Sequence, residues 1–476
     1  MGPAKLNRPA RLSLAAILTA WLCLATPACA AGGLQGAQLS SLFALPFAGL
    51  LLSIALLPQL AAPFWHHHYG KVAAFWALAL IVPLALAIGL AAAGQLMLHT
   101  LLAEYLPFIV LLTALFTLAG GIRIGGNAGG TPVSNTFLLA LGAGLASLIG
   151  TTGAAMVLVR PLVRANAGRP HNAHVLVFFI FLAANIGGAL TPLGDPPLFL
   201  GFLRGVDFFW TLRNLWQPTL FCVMVLLGLF LAVDSWHYRR EKPARLPGQP
   251  QAVRLEGWIN LPLIALAIAL IIGCAFWRGG VEVEVFGLAV PLRNLVRDFG
   301  LLLVTLASLL LTRRNIREAN GFEWEPMLEV AKLFAAIFVC IIPVLALLAA
   351  GKAGPFAPLL DLVTRPDGSP LNPAYFWATG LLSSFLDNAP TYLVFFEMAG
   401  GDPVQLTGPL ASTLAAVSLG AVFMGANSYI GNAPNFMVYA IARRGGINMP
   451  GFFGYMLWSG AILLPLFAAV NGLFVR

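Results

Sequence analysis

Long apolar runs alternate with short polar ones along almost the whole chain. Residues 39–58, 72–94, 105–122, 173–203 and 217–236 form one set, and residues 258–277, 299–312, 330–350, 407–442 and 452–475 form a second. A helix needs about 20 such residues to cross a hydrocarbon core of about 30 Å. Two further stretches, 135–160 and 374–397, are apolar but hold Gly, Thr, Asp, Asn and Pro at their centres. Polar and helix-breaking residues at that depth suit re-entrant hairpins better than plain crossings. Residues 173–203 and 407–442 carry similar interruptions and read as broken helices. The pattern therefore predicts an all-α polytopic membrane protein of about ten transmembrane helices.

The two sets follow the same order: three helices, a hairpin, a broken helix, a final helix. Five crossings is an odd number, so the second set, 258–476, must lie upside down relative to the first, 39–236. The hairpin tract Gly150-Thr151-Thr152-Gly153 matches Leu386-Asp387-Asn388-Ala389-Pro390, which pairs Thr151 with Asp387. The broken-helix tract Leu193-Gly194-Asp195-Pro196-Pro197 matches Ile430-Gly431-Asn432-Ala433-Pro434, which pairs Gly194 with Gly431. Both pairs have the same separation along the chain to within one position. Two independent motif pairs sharing an offset point to internal duplication.

Composition fixes the solvent. Hydrophobic residues make up 59% of the 476 and charged residues only 9%, whereas a soluble domain carries about a quarter charged residues to hydrate its surface. The net charge of +9 is an orientation signal and does not call for a nucleic-acid partner. Residues 237–257 form a basic loop with Arg239, Arg240, Lys242, Arg245 and Arg254, which places that loop in the cytoplasm. Counting outward from it, sixteen Lys and Arg fall on the cytoplasmic side and eight outside. Residue 39 is then external. The segment 1–30 agrees independently: Lys5, Arg8 and Arg11 precede an apolar stretch and an Ala28-Cys29-Ala30 cleavage pattern, the form of an export signal. The five cysteines show neither disulfide nor metal-ligand spacing. His66, His67 and His68, beside Phe64, Trp65 and Tyr69, read as an interfacial anchor at a helix end.

Against this background two acidic residues stand out. Of 18, only Asp195 and Asp387 fall near the middle of membrane-embedded segments, where a carboxylate costs at least a few kcal/mol and faces a cavity or a partner. The competing reading is that each merely caps a broken helix. Oxygen-bearing neighbours surround both: Thr151, Thr152 and Asn388 in the hairpins, Asn185 and Thr191 at the first break, and Asn427, Ser428, Asn432 and Asn435 at the second. Gly194 and Pro196-Pro197 interrupt helical hydrogen bonding and free backbone carbonyls able to ligate a small cation, while half-helix N-termini could instead favour an anion. Desolvation favours the neutral form of a carboxylic acid and a bound cation favours the ionised form. Proton and cation then compete for the same oxygens, and that competition at an alternating site is antiport. Asp195 and Asp387 are the candidate ligands of the transported ion. No resident cofactor is implied.

The tracts Ile149-Gly150-Thr151-Thr152-Gly153-Ala154, Asn185-Ile186-Gly187-Gly188 with Thr191-Pro192-Leu193-Gly194-Asp195-Pro196, Phe385-Leu386-Asp387-Asn388-Ala389-Pro390, and 425–435 carry a family likeness. From about residue 40 onward the chain resembles the ion-transporter superfamily of citrate, dicarboxylate and arsenite carriers, and most of all the bacterial sodium/proton antiporters of the NhaD type. The resemblance implies a scaffold and a transport domain in the bacterial inner membrane, often as a homodimer, exchanging Na+ or Li+ for H+. The paired Ser-Asn-Thr tracts of dicarboxylate carriers are missing from the hairpin tips. The principal alternative is a cation- or proton-coupled citrate/dicarboxylate symporter. An intramembrane aspartyl protease, which also uses two Asp residues, does not fit, because Pro192 and Pro196 flank the Gly-Asp pair and a symmetric repeat has no place there.

Overall fold

A computed structural model describes residues 34–127, 129–241, 252–277 and 279–475. The export signal expected over 1–30, and Lys242 and Arg245 of the basic loop, lie outside the described residues. Among the described residues, nine helices are long and apolar enough to cross a membrane, and the 260–276 and 411–427 helices are shorter apolar elements. The chain is an all-α multi-pass membrane protein. It forms two compact units, one reaching to Leu102 and including Glu329–Leu362, the other comprising Ala103–Leu328 and Val363–Arg476.

In the first unit, Leu45–Leu60 and Ala62–Ile88 both start with proline in the first turn, where the missing N–H costs nothing. They pack closely because Gly49 has no side chain: a Cβ there would lie 2.3 Å from the Trp76 ring. Trp76 Nε1 donates to Ser53 Oγ at 3.0 Å. Leu39, Phe43, Leu80, Leu84, Val339 and Leu347 form the buried core of this unit. The expected span 72–94 is corrected to 62–88, because Gly89 at φ 88° ends that helix and a new one begins at Leu90.

The second unit holds both hairpins and both broken helices. The first hairpin consists of Pro132–Ile149 and Thr151–Asn166, and the second of Asn372–Ser383 and Asn388–Met398. Thr131 opens the first with a reciprocal cap, Ser134 N donating to Thr131 Oγ1 while Thr131 N donates to Ser134 Oγ. The first broken helix runs Ala173–Leu182, a short turn at Ile186–Leu190, then Pro196–Leu203. The second runs Ala411–Met424, a turn at Gly425–Asn427, then Ala433–Arg444. Val175–Ala184 is apolar on every side and completely buried, as expected of a helix enclosed by protein rather than lipid.

Two small antiparallel ladders complete the unit. Arg123–Gly125 pairs with Arg254–Glu256, reinforced by an Arg123–Glu256 ion pair at 2.9 Å. Glu282–Val285 pairs with Leu288–Pro291 across the two-residue turn Phe286-Gly287, both at positive φ, the backbone that a tight hairpin requires.

Close backbone approach at the first break gives a test. A Cβ on Gly194 would sit 2.0 Å from the Gly188 carbonyl oxygen, whereas Gly144 faces open space. Gly194→Ala is expected to lower stability by about 1–3 kcal/mol or abolish folding, with Gly144→Ala close to neutral. Thermal melts of the detergent-purified variants check this, and equal melting temperatures would refute the packing account.

Candidate functional site

The geometry centres on Asp195, which is 1% exposed and precedes the Pro196–Leu203 helix. As the residue before Pro196 it is held in extended backbone, at φ −137° and ψ 140°. Its main-chain carbonyl accepts the helix-starting bond from Leu198 N, but its carboxylate caps nothing. The capping explanation therefore fails for this side chain, which turns to donors from three other segments. Thr151 Oγ1 donates to Oδ1 at 3.2 Å, Asn432 Nδ2 to Oδ1 at 3.1 Å, and Asn388 Nδ2 to Oδ2 at 2.5 Å. One carboxylate thus joins the first hairpin, the second hairpin and the second break. None of the three donors carries charge.

Asp387 is different. It is half-buried and accepts from Ala389 N at 3.1 Å as the N-cap of the Asn388–Met398 helix. The capping role expected of one or both aspartates belongs to this residue. Its second carboxylate oxygen makes no hydrogen bond among the described residues. Between them stands Asn388, fully buried, its Nδ2 bound to Asp195 and its Oδ1 without a hydrogen-bond partner. A buried amide oxygen left unpaired costs about 1–3 kcal/mol, and it makes a ready ligand for a cation.

The other candidates divide between site and frame. Asn185 is buried, accepts from Asn432 at 3.3 Å and donates to Asn435 Oδ1 at 2.7 Å and to Ile180 O at 2.8 Å. Thr191 and Ser428 do not reach Asp195. Thr191 Oγ1 donates to Ser147 O at 2.5 Å, and Ser428 Oγ donates to Ser384 O, so both staple a break to its hairpin. Asn427 donates to Ser384 Oγ at 2.9 Å and leaves a buried Oδ1 unpaired. Thr152 is half-buried and takes no part in the network.

Several carbonyls around the two breaks are spoken for. Those of Ala184, Gly194, Gly425, Ala426, Asn427 and Ser428 each already accept a hydrogen bond, from Asn432, Thr151 N, Asn435, Tyr455, Ser459 and Asn435 in turn. In a medium without water the protein supplies the missing partners itself. Ser147, Ser384 and Asn435 do much of this. The two serines do not stand out in the sequence, because one or two serines in an apolar helix carry no pattern.

The staples also correct the repeat register. Thr191 bonds the carbonyl of Ser147, and Ser428 that of Ser384. Thr191 stands to Ser428, and Ser147 to Ser384, at one and the same spacing. On that register Asp195 answers to Asn432 and Thr151 to Asn388, not to Asp387, whose counterpart is Gly150.

The chain matches, over residues 36–475, the family described as "Putative citrate transport". It belongs to that family. It is also 24% identical over 362 residues to an uncharacterized transporter of Mycobacterium bovis and, to the same extent, to one of Mycobacterium tuberculosis, covering 73% of this chain and 78% of each relative. The protein is a transporter.

Hydrogen-bond count sets the order of sensitivity within the network. Asn432→Leu removes bonds to Asp195, Asn185 and Ala184 at once and is expected to cost about 3 kcal/mol, against about 1 for Thr151→Val. Denaturation midpoints measure the difference, and a neutral Asn432→Leu would remove it from the network.

Proposed function

We propose that this family member exchanges Na+ or Li+ for H+ across the bacterial inner membrane by alternating access, with Asp195 and Asp387 as the groups shared between cation and proton. The observation that carries the reading is the donor set around Asp195: two neutral amides and a hydroxyl, one of those amides keeping an unpaired, fully buried oxygen. Among the described residues no three His, Cys, Asp or Glu side chains gather as a metal site. What is assembled is one or two carboxylates with neutral oxygens, a hard-oxygen set suited to a small hard cation rather than to zinc or copper.

The balance of protonation follows. With no Lys or Arg bonded to either carboxylate, nothing but a cation or a proton neutralises them, and a low-polarity surrounding demands one or the other. Loading the cation displaces the proton, and the reverse occurs on the other side of the membrane. The halves 39–236 and 258–476, related as inverted repeats, supply two-sided access around a fixed midplane, and the paired Ser147–Thr191 and Ser384–Ser428 staples support that reading. Small inorganic cations and the bilayer are the partners, with a homodimer as the assembly.

The family description, putative citrate transport, supports a second reading, a cation- or proton-coupled citrate/dicarboxylate symporter. A tricarboxylate entering beside Asp195 and Asp387 would meet like charge, so it would have to arrive with cations that cancel it. Both readings therefore use the same two carboxylates.

One assay separates them. In vesicles of purified protein with an imposed pH gradient, Na+ or Li+ alone is expected to collapse the gradient, and Asp195→Asn and Asp387→Asn are each expected to abolish that response with folding intact. A response that requires citrate overturns the exchange reading, and full activity in either variant removes that residue from the site.

A further inference from the structure

A second buried ionic cluster lies at the C-terminal end of the Trp210–Arg240 helix, and the exchange reading makes no use of it. Asp234 is fully buried and accepts from Arg169 Nη2 at 2.5 Å, from Asn135 Nδ2 at 3.0 Å, and bonds His174 Nε2 at 2.9 Å, with Arg169 and His174 on Oδ1 and Asn135 on Oδ2. Arg169 Nε also donates to Glu241 Oε2 at 2.9 Å, and Glu241 Oε1 is buried without a partner among the described residues. His174 and His237 stack with centroids 4.9 Å apart and planes 22° from parallel, and the His171 ring lies 5.2 Å from that of His237. Tyr238 faces Arg169, while Arg240 is turned away onto Trp236. Asn166 closes the cluster, donating to Asn135 Oδ1 at 2.8 Å and accepting from Arg169.

We infer that the His171–His174–His237 set with Asp234 and Glu241 is a binding site for one proton, and that its occupancy decides how tightly the end of the Trp210–Arg240 helix is held to the first hairpin. Three facts support this. First, among the described residues and with the imidazoles neutral, the fixed charges do not cancel: Arg169 faces both Asp234 and Glu241, all with side chains at most 7% exposed. A buried net charge of −1 is costly, and a single proton on an imidazole removes it. Second, the His174 and His237 rings are stacked closely enough that a charge on both would be repulsive, so a proton is held by that pair singly. Third, the bonds run between separate elements: Asp234 and Glu241 at one helix end, Arg169 and His174 across the 167–172 connection, and Asn135 and Asn166 on the two arms of the first hairpin. The Thr151–Asn166 helix that carries Asn166 begins at Thr151, the donor to Asp195. Losing the proton leaves unbalanced negative charge that loosens the clamp at the far end of that helix.

The inference is independent of the cargo, and its test does not use transport. Amide hydrogen exchange is measured on the full-length purified protein over peptides 167–174 and 230–241, corrected for intrinsic rates, with 388–398 as the reference. Protection of the two peptides is expected to fall about fivefold or more between about pH 6 and about pH 8, with the reference peptide unchanged. His174→Gln keeps a hydrogen-bond donor but cannot titrate, and it is expected to flatten the dependence. Glu241→Gln keeps all three imidazoles and removes the excess charge, and it too is expected to flatten it. Protection in the unsubstituted protein that ignores pH overturns the inference, as does a pH dependence that survives Glu241→Gln. Should His174→Gln fail to fold, Glu241→Gln decides alone.

Discussion

A helix interrupted inside a bilayer strands amide and carbonyl groups where no water can reach them, each unsatisfied group costing several kcal/mol. The residues around the two breaks are arranged to meet that demand. Thr191 and Ser428 tie the breaks to the carbonyls of Ser147 and Ser384, Asn435 takes two carbonyls of its own break, and Asn185 bonds Asn435 from the other one. Only after the backbone is satisfied does Asp195 acquire its surroundings: the donors it uses are side chains that the same breaks and hairpins have already fixed. The polar interior is therefore a structural necessity before any other role.

This ordering explains an asymmetry in a nearly symmetric frame. The repeat places Asn432 opposite Asp195, and Gly150 opposite Asp387. A carboxylate in place of Asn432 would face Asp195 at hydrogen-bond distance and repel it. The amide instead donates to it, and to Asn185 and Ala184 besides. Gly150 is needed for another reason, since its φ of 81° is one that an aspartate adopts only with strain. Each half of the frame carries one carboxylate at a position where the other has a residue serving geometry.

Much of this is legible in the chain itself. Apolar runs mark the helices, Gly and Pro tracts mark the breaks, and the rarity of acids singles out Asp195 and Asp387. Boundaries are less legible: the Ala62–Ile88 helix begins ten residues before the expected span because the aromatic and histidine tract from Phe64 to Tyr69 is helical too. Roles are harder still. Thr191 and Ser428 look like ligands from their place beside the breaks, but a hydroxyl one residue from a site and a hydroxyl in it are the same letter. The register read from motifs alone is off by one because Asp387 and Asn388 are adjacent and either could answer to Thr151. Asp234 lies near a span end, where acids are ordinary, and nothing in the sequence sets it apart. What distinguishes it, an arginine and a histidine brought together from 65 and 60 residues away, belongs to tertiary structure.

The two polar clusters differ in a way that bears on what each can do. Around Asp234 a guanidinium answers the carboxylate directly, so the charge there is mostly settled within the protein and only a small imbalance is left to respond to pH. Around Asp195 the partners are all neutral, and neutral dipoles orient a carboxylate without cancelling its charge. A fixed lysine or arginine at that point would have satisfied the site permanently and left a passing ion nothing to gain. On the exchange reading, withholding a fixed counter-charge from Asp195, while placing one against Asp234, keeps the first cluster open to a mobile positive charge.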